Sequence, residues 1–255
     1  MKRYIILIIV ILLFGFSLYY FVGKDSIKAQ KVKTTILLNN DTVFEYNNRS
    51  WIKVNDSYIN DYNWKEFDVF LDSTYKGKKL VWHDDQWYIF DKNKNAVNYN
   101  ERFIGVKANY EINVKDFEII SDEDNGYANA LLSEYHLPAT SELTSNDKVI
   151  VDIDNDGENE EIYIISNTFP MDTEPDTIFS SVFMIKNNQK YQIFEQHHQD
   201  DVYSGCLPYI NSILDVDNDD NYEIVLTCAR FSAQEPINIL YKFDKTKFTK
   251  LISNE

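Results

Sequence analysis

The 255-residue chain is poor in glycine, proline and basic residues, and each shortage excludes a class of protein. Seven glycines and five prolines are too few for a collagen-like or linker-type sequence. The 25 Lys and Arg residues are outnumbered by 41 Asp and Glu residues. The deficit is concentrated after residue 120, where 8 basic residues face 26 acidic ones. Because so acidic a surface repels phosphate backbones, we expect no nucleic-acid partner.

The motifs of several large enzyme classes are absent as well. The sequence contains no G-x-S-x-G nucleophile elbow, no H-E-x-x-H zinc motif, no phosphate-binding loop and no dinucleotide-binding glycine pattern. The adjacent His197 and His198 would point to opposite faces of a strand, so we assign them to a polar loop rather than to a metal site. We therefore predict that the protein is not an enzyme.

One long apolar run is present at the N-terminus. Residues 4–22 carry no charge and, as a helix, would span about 28 Å, close to the hydrocarbon thickness of a bilayer. Lys2 and Arg3 precede the run and favour a cytoplasmic N-terminus. We predict residues 1–3 as a cytoplasmic stub and residues 4–22 as a single-pass transmembrane signal-anchor. The rest of the chain would then be extracytoplasmic, attached to the cell membrane.

A cleaved signal peptide is the alternative for this segment. The apolar region of a signal peptide is usually shorter and ends at a small-x-small cleavage site. The chain offers only a poor match to such a site, at Ser26, Lys28 and Ala29. No cysteine follows the apolar run, which excludes a lipoprotein anchor. These features favour an anchor that is retained.

Beyond a polar linker at residues 23–34, the chain is predicted to be mainly β. Short runs rich in Val, Ile, Tyr, Phe and Trp alternate with Asn, Asp and Lys turns, as in hairpins. The main helix candidate is short and covers Asn125–Tyr135. The four predicted hairpins are at residues 43–54, 80–90, 182–194 and 238–251.

The second half of the chain contains an internal repeat. Each copy has an acidic turn, an apolar strand, a polar loop and a hairpin, and Asp152 and Asp215 mark equivalent points 63 residues apart. A strand-rich period near this length indicates propeller blades or a related β-repeat array. We assign the repeat domain to residues 121–255. The preceding residues 35–120 supply either metal-free blades or a small separate domain.

The acidic turns carry the ligand pattern of a calcium site. Carboxylates stand at positions 1, 3, 5 and 9 of each turn, and position 7 would contribute its backbone carbonyl. Ca²⁺ takes about six to eight oxygen ligands, and alternate residues of a tight loop can supply them. Ordinary solvated turns are the alternative, but two turns in one register, each followed by a strand, favour ligation. The predicted ligands are Asp152, Asp154, Asp156, Glu158 and Glu160 in the first turn and Asp215, Asp217, Asp219, Asn221 and Glu223 in the second.

Position 6 distinguishes the two turns. It requires a left-handed backbone, which Gly157 adopts readily in the first turn. Asp220 stands there in the second turn, and Asp tolerates this conformation better than most residues. The turns are not EF-hands, because position 12 is Tyr163 or Leu226 and the flanks are strand-like. The ion would therefore lie in a strand-to-strand turn.

The pattern D-x-D-x-D-G-x-x-E, followed directly by an apolar strand, resembles FG-GAP/VCBS-type repeats, the calcium-loop blades of integrin-like β-propellers. The resemblance covers about residues 149–251, and the FG and GAP tripeptides themselves are missing. It implies a propeller-like fold with Ca²⁺ bound at two sites. The positions that match the ligand pattern of the family are Asp152, Asp154, Asp156 and Glu160, and Asp215, Asp217, Asp219 and Glu223.

The two cysteines, Cys206 and Cys228, flank the second turn. If the adjoining strands pair as a hairpin, its centre falls at Asp217 and the two thiols face each other. An extracytoplasmic location permits a disulfide, which we predict here. Two separate buried thiols are the alternative.

Together these features predict a calcium-binding protein with a binding or scaffolding role at the cell surface. Ca²⁺ would neutralise the crowded acids and make the turns rigid, and loops 168–177 and 195–203 would recognise a protein or glycan ligand. The alternative is an inhibitor-like regulator of cell-wall or glycan hydrolases, or a glycan-active enzyme. A sensor ectodomain is disfavoured, because the short cytoplasmic stub leaves almost nothing to signal with.

Overall fold

The structure is a computed structural model, and part of the chain is described in it. The predicted anchor at residues 4–22 lies outside the described residues. Within them, no helix has both the length and the apolar character that a membrane crossing requires. The described residues are 33–38, 41–47, 50–71, 74–84, 86–97, 103–139, 141, 143–167, 177–199, 205–230 and 235–255.

The described residues form a mainly β structure, as predicted, with three antiparallel sheets. The strands of the first sheet are β1 (Thr34–Leu38), β2 (Thr42–Asn47), β3 (Ser50–Lys53), β4 (Glu66–Leu71), β5 (Thr74–His83), β6 (Trp87–Phe90), β7 (Ala96–Val97) and β8 (Phe103–Ala108). They are arranged in the order β3-β2-β1-β8-β4-β5-β6-β7. A 3-10 helix at Asp56–Tyr62 connects β3 to β4.

The other two sheets have five strands each and share the meander pattern of the predicted repeat. The second sheet contains β10 (Ile119–Ser121), β11 (Ser145–Val151), β12 (Glu160–Ser166), β13 (Thr177–Lys186) and β14 (Gln189–Gln199), in that order. The third sheet contains β9 (Asn113–Val114), β15 (Cys206–Asp215), β16 (Glu223–Arg230), β17 (Ile237–Phe243) and β18 (Phe248–Ser253). Its order is β18-β17-β16-β15-β9, so the edge strand β9 comes from the chain segment before residue 121.

The predicted hairpins and helix are confirmed. The four hairpins are the strand pairs β2–β3, β5–β6, β13–β14 and β17–β18. Helix α1 covers Gly126–Glu134, and it buries Ala128, Leu131 and Leu132, which lie on one side because of the helical period. The assignment of His197 and His198 to a loop is wrong, since β14 continues to Gln199. In β14, Glu195 and His197 are exposed and pair with Ser181 and Phe179 of β13, and this pairing makes a strand of the largely polar sequence.

The third sheet lies between the other two. The side chains of Ile224, Leu226 and Cys228 pack in a core shared with the second sheet, whereas Val225 packs in a core shared with the first. Strand β16 is therefore apolar on both faces, which explains its continuous apolar sequence where a half-buried strand would alternate.

Helices cover the two outer faces of this stack. Helix α1 packs on the second sheet, and the 3-10 helix packs on the first sheet through Ile59 and Tyr62. Each sheet has two edge strands, so none closes on itself within the described residues. The described part of the chain is a row of three stacked sheets, and it does not show a closed propeller.

Candidate metal sites

The two acidic turns connect equivalent strands and have the same backbone conformation. The first joins β11 to β12 and the second joins β15 to β16, so each is a strand-to-strand turn. Position 6 has a positive φ in both turns, 89° at Gly157 and 65° at Asp220, as predicted. Position 4 has a positive φ as well, 56° at Asn155 and 59° at Asn218, and asparagine is among the few residues that adopt it easily.

The first Asp of each turn holds the backbone in this shape. The carboxylate of Asp152 accepts hydrogen bonds from the backbone N–H groups of Asp156 at 3.1 Å and Gly157 at 3.2 Å. The carboxylate of Asp215 accepts the equivalent bonds from positions 5 and 6, both at 3.2 Å. The side chain at position 1 therefore stabilises the backbone of the turn through N–H groups four and five residues further along the chain.

The Glu at position 9 closes the turn from the other side. Oε2 of Glu160 accepts the backbone N–H of Ile153 at 2.9 Å, and Oε2 of Glu223 accepts that of Val216 at 2.9 Å. Both glutamates are buried. Because one oxygen is engaged with the backbone, Oε1 remains for a cation.

Three carboxylates converge in each turn. One oxygen from each of Asp152, Asp154 and Glu160 lies within 4.8 Å of the other two, and the same holds for the equivalent group in the second turn. Two oxygens bound to one Ca²⁺ at 2.3–2.6 Å lie at most about 5 Å apart. The equivalent group in the second turn is Asp215, Asp217 and Glu223. Each group has the spacing that a bound metal ion requires.

The remaining predicted ligands lie at the exposed edge of the turns. The carboxylates at position 5, Asp156 and Asp219, accept the backbone N–H of Glu158 at 2.9 Å and of Asn221 at 3.1 Å. The Glu158 side chain is exposed and that of Asn221 is half-buried. Ligation by Glu158 and Asn221 through their backbone carbonyls therefore stays a prediction.

A lysine lies at the centre of each carboxylate group, and sequence reasoning missed both. Nζ of Lys186 donates to both oxygens of Asp154 at 2.9 Å, to Asp156 at 2.6 Å and to Glu160 at 2.7 Å. Nζ of Lys242 lies 2.7 Å from Oδ2 of both Asp217 and Asp219 and 3.1 Å from Oε1 of Glu223.

The two lysines occupy equivalent places in the repeat. Lys242 on β17 pairs in register with Glu223, the position-9 residue of its turn. In the second sheet, Ile185 pairs with Glu161, which brings Lys186 opposite Glu160 in the same way. A signal was present in the sequence, because a lysine ends the apolar run of the third repeat strand in each copy. It is uninformative until the pairing of that strand is known.

The carboxylates keep both lysines charged. Burial lowers the pKa of Lys186, but hydrogen bonds to three carboxylates outweigh burial and raise the pKa above its ordinary value. Burial likewise lowers the pKa of Lys242, and the charge of Glu223 together with two hydrogen bonds raises it. The hydrogen bond from Lys186 lowers the pKa of Asp156. Each centre is thus an ion-pair network.

In the second turn the lysine does not satisfy every oxygen. Burial raises the pKa of Glu223 to about 8, with a contribution from the charge of Asp217, and burial raises the pKa of Asp217 as well. Oδ1 of Asp217 is buried and accepts no hydrogen bond from the described residues, and the buried Oε1 of Glu223 has the ion pair with Lys242 at 3.1 Å without hydrogen-bond geometry. Buried oxygens without a hydrogen bond destabilise the fold unless a cation compensates them. These residues therefore fit a bound metal ion.

The two turns are neighbours in space, which the sequence did not indicate. Nδ2 of Asn155 in the first turn donates to the backbone carbonyl of Asp220 in the second at 3.1 Å. Lys115 lies beside this contact and donates to Oδ1 of Asn155 at 2.6 Å. Its Nζ is also 3.9 Å from Asp152 and 4.8 Å from the ring centroid of Tyr222. The two candidate sites thus share one edge of the molecule.

The predicted disulfide between Cys206 and Cys228 is confirmed, with a Cα–Cα distance of 5.3 Å. The predicted register is wrong by two residues. Cys206 pairs with Arg230 and Cys228 pairs with Pro208, so the bridge is diagonal. The cause is a turn centred later than Asp217, between Asn218 and Asp219, and an irregularity in β15 between Ile210 and Ser212 shifts the register back by one residue.

Comparison of the chain with protein-family models, with curated proteins and with solved structures found no match.

Proposed function

We propose that the protein is a calcium-dependent scaffold of the cell surface, built from propeller-like β-repeats similar to the FG-GAP/VCBS type. One observation carries the proposal: two turns, 63 residues apart, repeat the same backbone shape, the same internal hydrogen bonds and the same convergence of carboxylates. A chance cluster of surface acids would not reproduce these features twice. The proposed role is binding, without catalysis.

The carboxylates of each turn would hold the ion. The ligands in the first turn would be Asp152, Asp154, Asp156 and Glu160, and the equivalent residues would bind in the second. Ca²⁺ is favoured over Mg²⁺ because many carboxylates converge without a substrate phosphate. When bound, the ion supplies positive charge, and its binding free energy adds to the free energy of unfolding.

The position of the sites supports a structural role. The two turns lie at one edge of the sheets and contact each other through Asn155 and Asp220. Fixing both turns would therefore also fix the second sheet relative to the third. The third sheet contributes side chains to a core on each of its faces. A rigid edge of this kind can present neighbouring loops to a protein or glycan ligand.

The proposed cellular location follows from the apolar segment 4–22, with the sheets outside the cytoplasm. A disulfide is consistent with an oxidising compartment, where such bonds persist. The location is tested with a C-terminal epitope tag on the full chain in intact cells. We expect the tag to be in the membrane fraction and accessible from outside, and a tag protected until lysis would contradict the proposal.

Calcium binding is tested by titration calorimetry and thermal unfolding of the full chain in detergent. We expect two sites for Ca²⁺, with Asp154→Asn removing the first and Asp217→Asn removing the second. Asp84→Asn, in the exposed turn between β5 and β6, serves as the control and should leave both sites intact. The absence of both heat and a thermal shift in the unsubstituted protein would overturn the proposal.

A further inference from the structure

We propose that Lys186 and Lys242 are the resident cations of the two turns, and that a divalent ion binds only by displacing their ammonium groups. The first half of this inference rests on geometry alone. The second half rests on the proposed calcium binding, which it refines by naming the residues that set the affinity. The two lysines are therefore affinity-determining residues, and they are not ligands.

The ammonium group and a metal ion would use the same oxygens. Every carboxylate that Lys186 contacts belongs to the predicted ligand set, and the same is true of Lys242. An ion held by these oxygens would lie within about 3 Å of the present Nζ position, where two cations overlap and repel. Simultaneous occupancy is therefore excluded, and binding becomes an exchange.

The exchange requires that the lysine ammonium group can reach solvent, and both lysines lie close to the solvent-exposed edge of their turn. The side chains of Lys186 and Lys242 are 13% and 18% exposed. Each contacts a position-5 carboxylate that is itself about half exposed, 40% for Asp156 and 44% for Asp219. A lysine stem has four flexible carbons, so the ammonium group can swing past this edge into water while the stem stays packed.

The charge balance indicates what the exchange achieves. Each turn carries four carboxylates at positions 1, 3, 5 and 9, and one ammonium neutralises only part of their charge. Ca²⁺ brings twice the charge of lysine, so the exchange is favourable, but the lost ion pairs reduce its free energy. We therefore expect affinities in the weak range of extracellular calcium modules, about 10⁻⁴–10⁻³ M. At that affinity the turns would switch between ammonium and calcium as the external calcium concentration changes.

The matched variants are Lys186→Gln and Lys242→Gln, with Lys250→Gln as the control. Lys250 is an exposed residue of the edge strand β18, and its substitution changes the net charge by the same amount. The full chain is measured in detergent by calorimetry with CaCl₂ and by thermal unfolding in EDTA and in saturating Ca²⁺.

In EDTA we expect both turn variants to unfold several degrees below the control, because their carboxylates lose the resident cation. In saturating Ca²⁺ this difference should disappear. The dissociation constant of the altered turn should fall at least tenfold, and that of the other turn should stay unchanged. Loss of stability in EDTA without tighter binding would support the resident cation and overturn the exchange.

The remaining outcomes separate this inference from the proposed function. Calcium binding with equal affinity in all variants, and no loss of stability in EDTA, overturns the inference and leaves the proposed function intact. Binding that appears only in the glutamine variants supports the exchange and overturns calcium binding by the natural chain. No binding in any variant overturns the exchange and the proposed function together.

Discussion

The two acidic turns have nearly the same backbone but different surroundings. In the first turn Asp152 is 21% exposed and Lys115 lies beside it, because the second sheet is an outer layer of the stack. In the second turn the equivalent Asp215 is 1% exposed, because the third sheet is enclosed by the other two, whereas the position-9 glutamates are buried in both turns. The difference teaches that the ligand pattern sets the backbone shape of such a turn, whereas packing sets the free-energy cost of burying its charged side chains.

The enclosure also gives the second turn contacts that the first does not have. The backbone carbonyl of Val216 accepts hydrogen bonds from the hydroxyl groups of Thr34, at 2.8 Å, and of Tyr110. Thr34 lies in β1 of the first sheet, and Tyr110 follows β8 of the same sheet. The disulfide encloses the same turn within a segment of 22 residues. The second turn should therefore depend more on tertiary structure, and the following predictions test this contrast.

The largest effect is expected from the glutamates at position 9. Glu223→Ala removes a fully buried carboxylate from the ion pair with Lys242 and leaves the buried N–H of Val216 without its acceptor, so the free energy of unfolding in EDTA should fall by about 3–5 kcal/mol. Glu160→Ala should cost less, because Lys186 keeps three hydrogen bonds to Asp154 and Asp156, whereas Lys242 keeps two to the equivalent residues. Urea unfolding measures both. Glu158→Gln is the control, and an equal or larger loss in the first turn would contradict the contrast.

The disulfide is expected to rank next. Replacing both Cys206 and Cys228 by Ser should lower the free energy of unfolding by about 3 kcal/mol, the value for a loop of this length. It should also weaken Ca²⁺ binding at the second turn and leave the first turn unchanged. Urea unfolding and calorimetry measure the two effects. Reductant should have no further effect on the double variant, and equal weakening at both turns would refute the prediction.

The contact from the first sheet is expected to have a smaller effect. Thr34→Val removes a buried hydrogen bond to the Val216 carbonyl, at a cost of about 1 kcal/mol, since Tyr110 still donates to that carbonyl. Only calcium binding at the second turn should weaken. Thr249→Val, at an exposed position of β18, is the matched control in urea unfolding and calorimetry. A change confined to the first turn would be inconsistent with the described packing.

The smallest effects are expected at position 6. Gly157→Ala forces a side chain into a backbone with φ of 89° and should cost about 1 kcal/mol, although no atom lies within 4 Å of the new Cβ. Asp220→Gly should change stability by only about 0.5 kcal/mol, because Asp already adopts this conformation easily. Thermal unfolding of the two variants measures the difference. Equal losses of stability in the two variants would contradict the expected difference between Gly157 and Asp220.

Much of the local structure could be predicted from the sequence. Alternating apolar strands and polar turns gave the four hairpins, and a short amphipathic segment gave helix α1, because both depend on side-chain periodicity. The positions of the acidic turns and the disulfide partners followed from spacing. The polar strand at Glu195–Gln199 was missed, because its pairing with β13 is what makes it a strand.

The internal geometry of each turn is determined by the sequence itself. Its hydrogen bonds join residues at most seven positions apart, and they need Asp at position 1, Glu at position 9 and residues tolerant of positive φ at positions 4 and 6. The lysine at the centre, the contact between the turns and the unequal burial were decided only by the tertiary structure. They depend on which strands pair and which sheet is enclosed, and these are set by packing among residues distant in the chain.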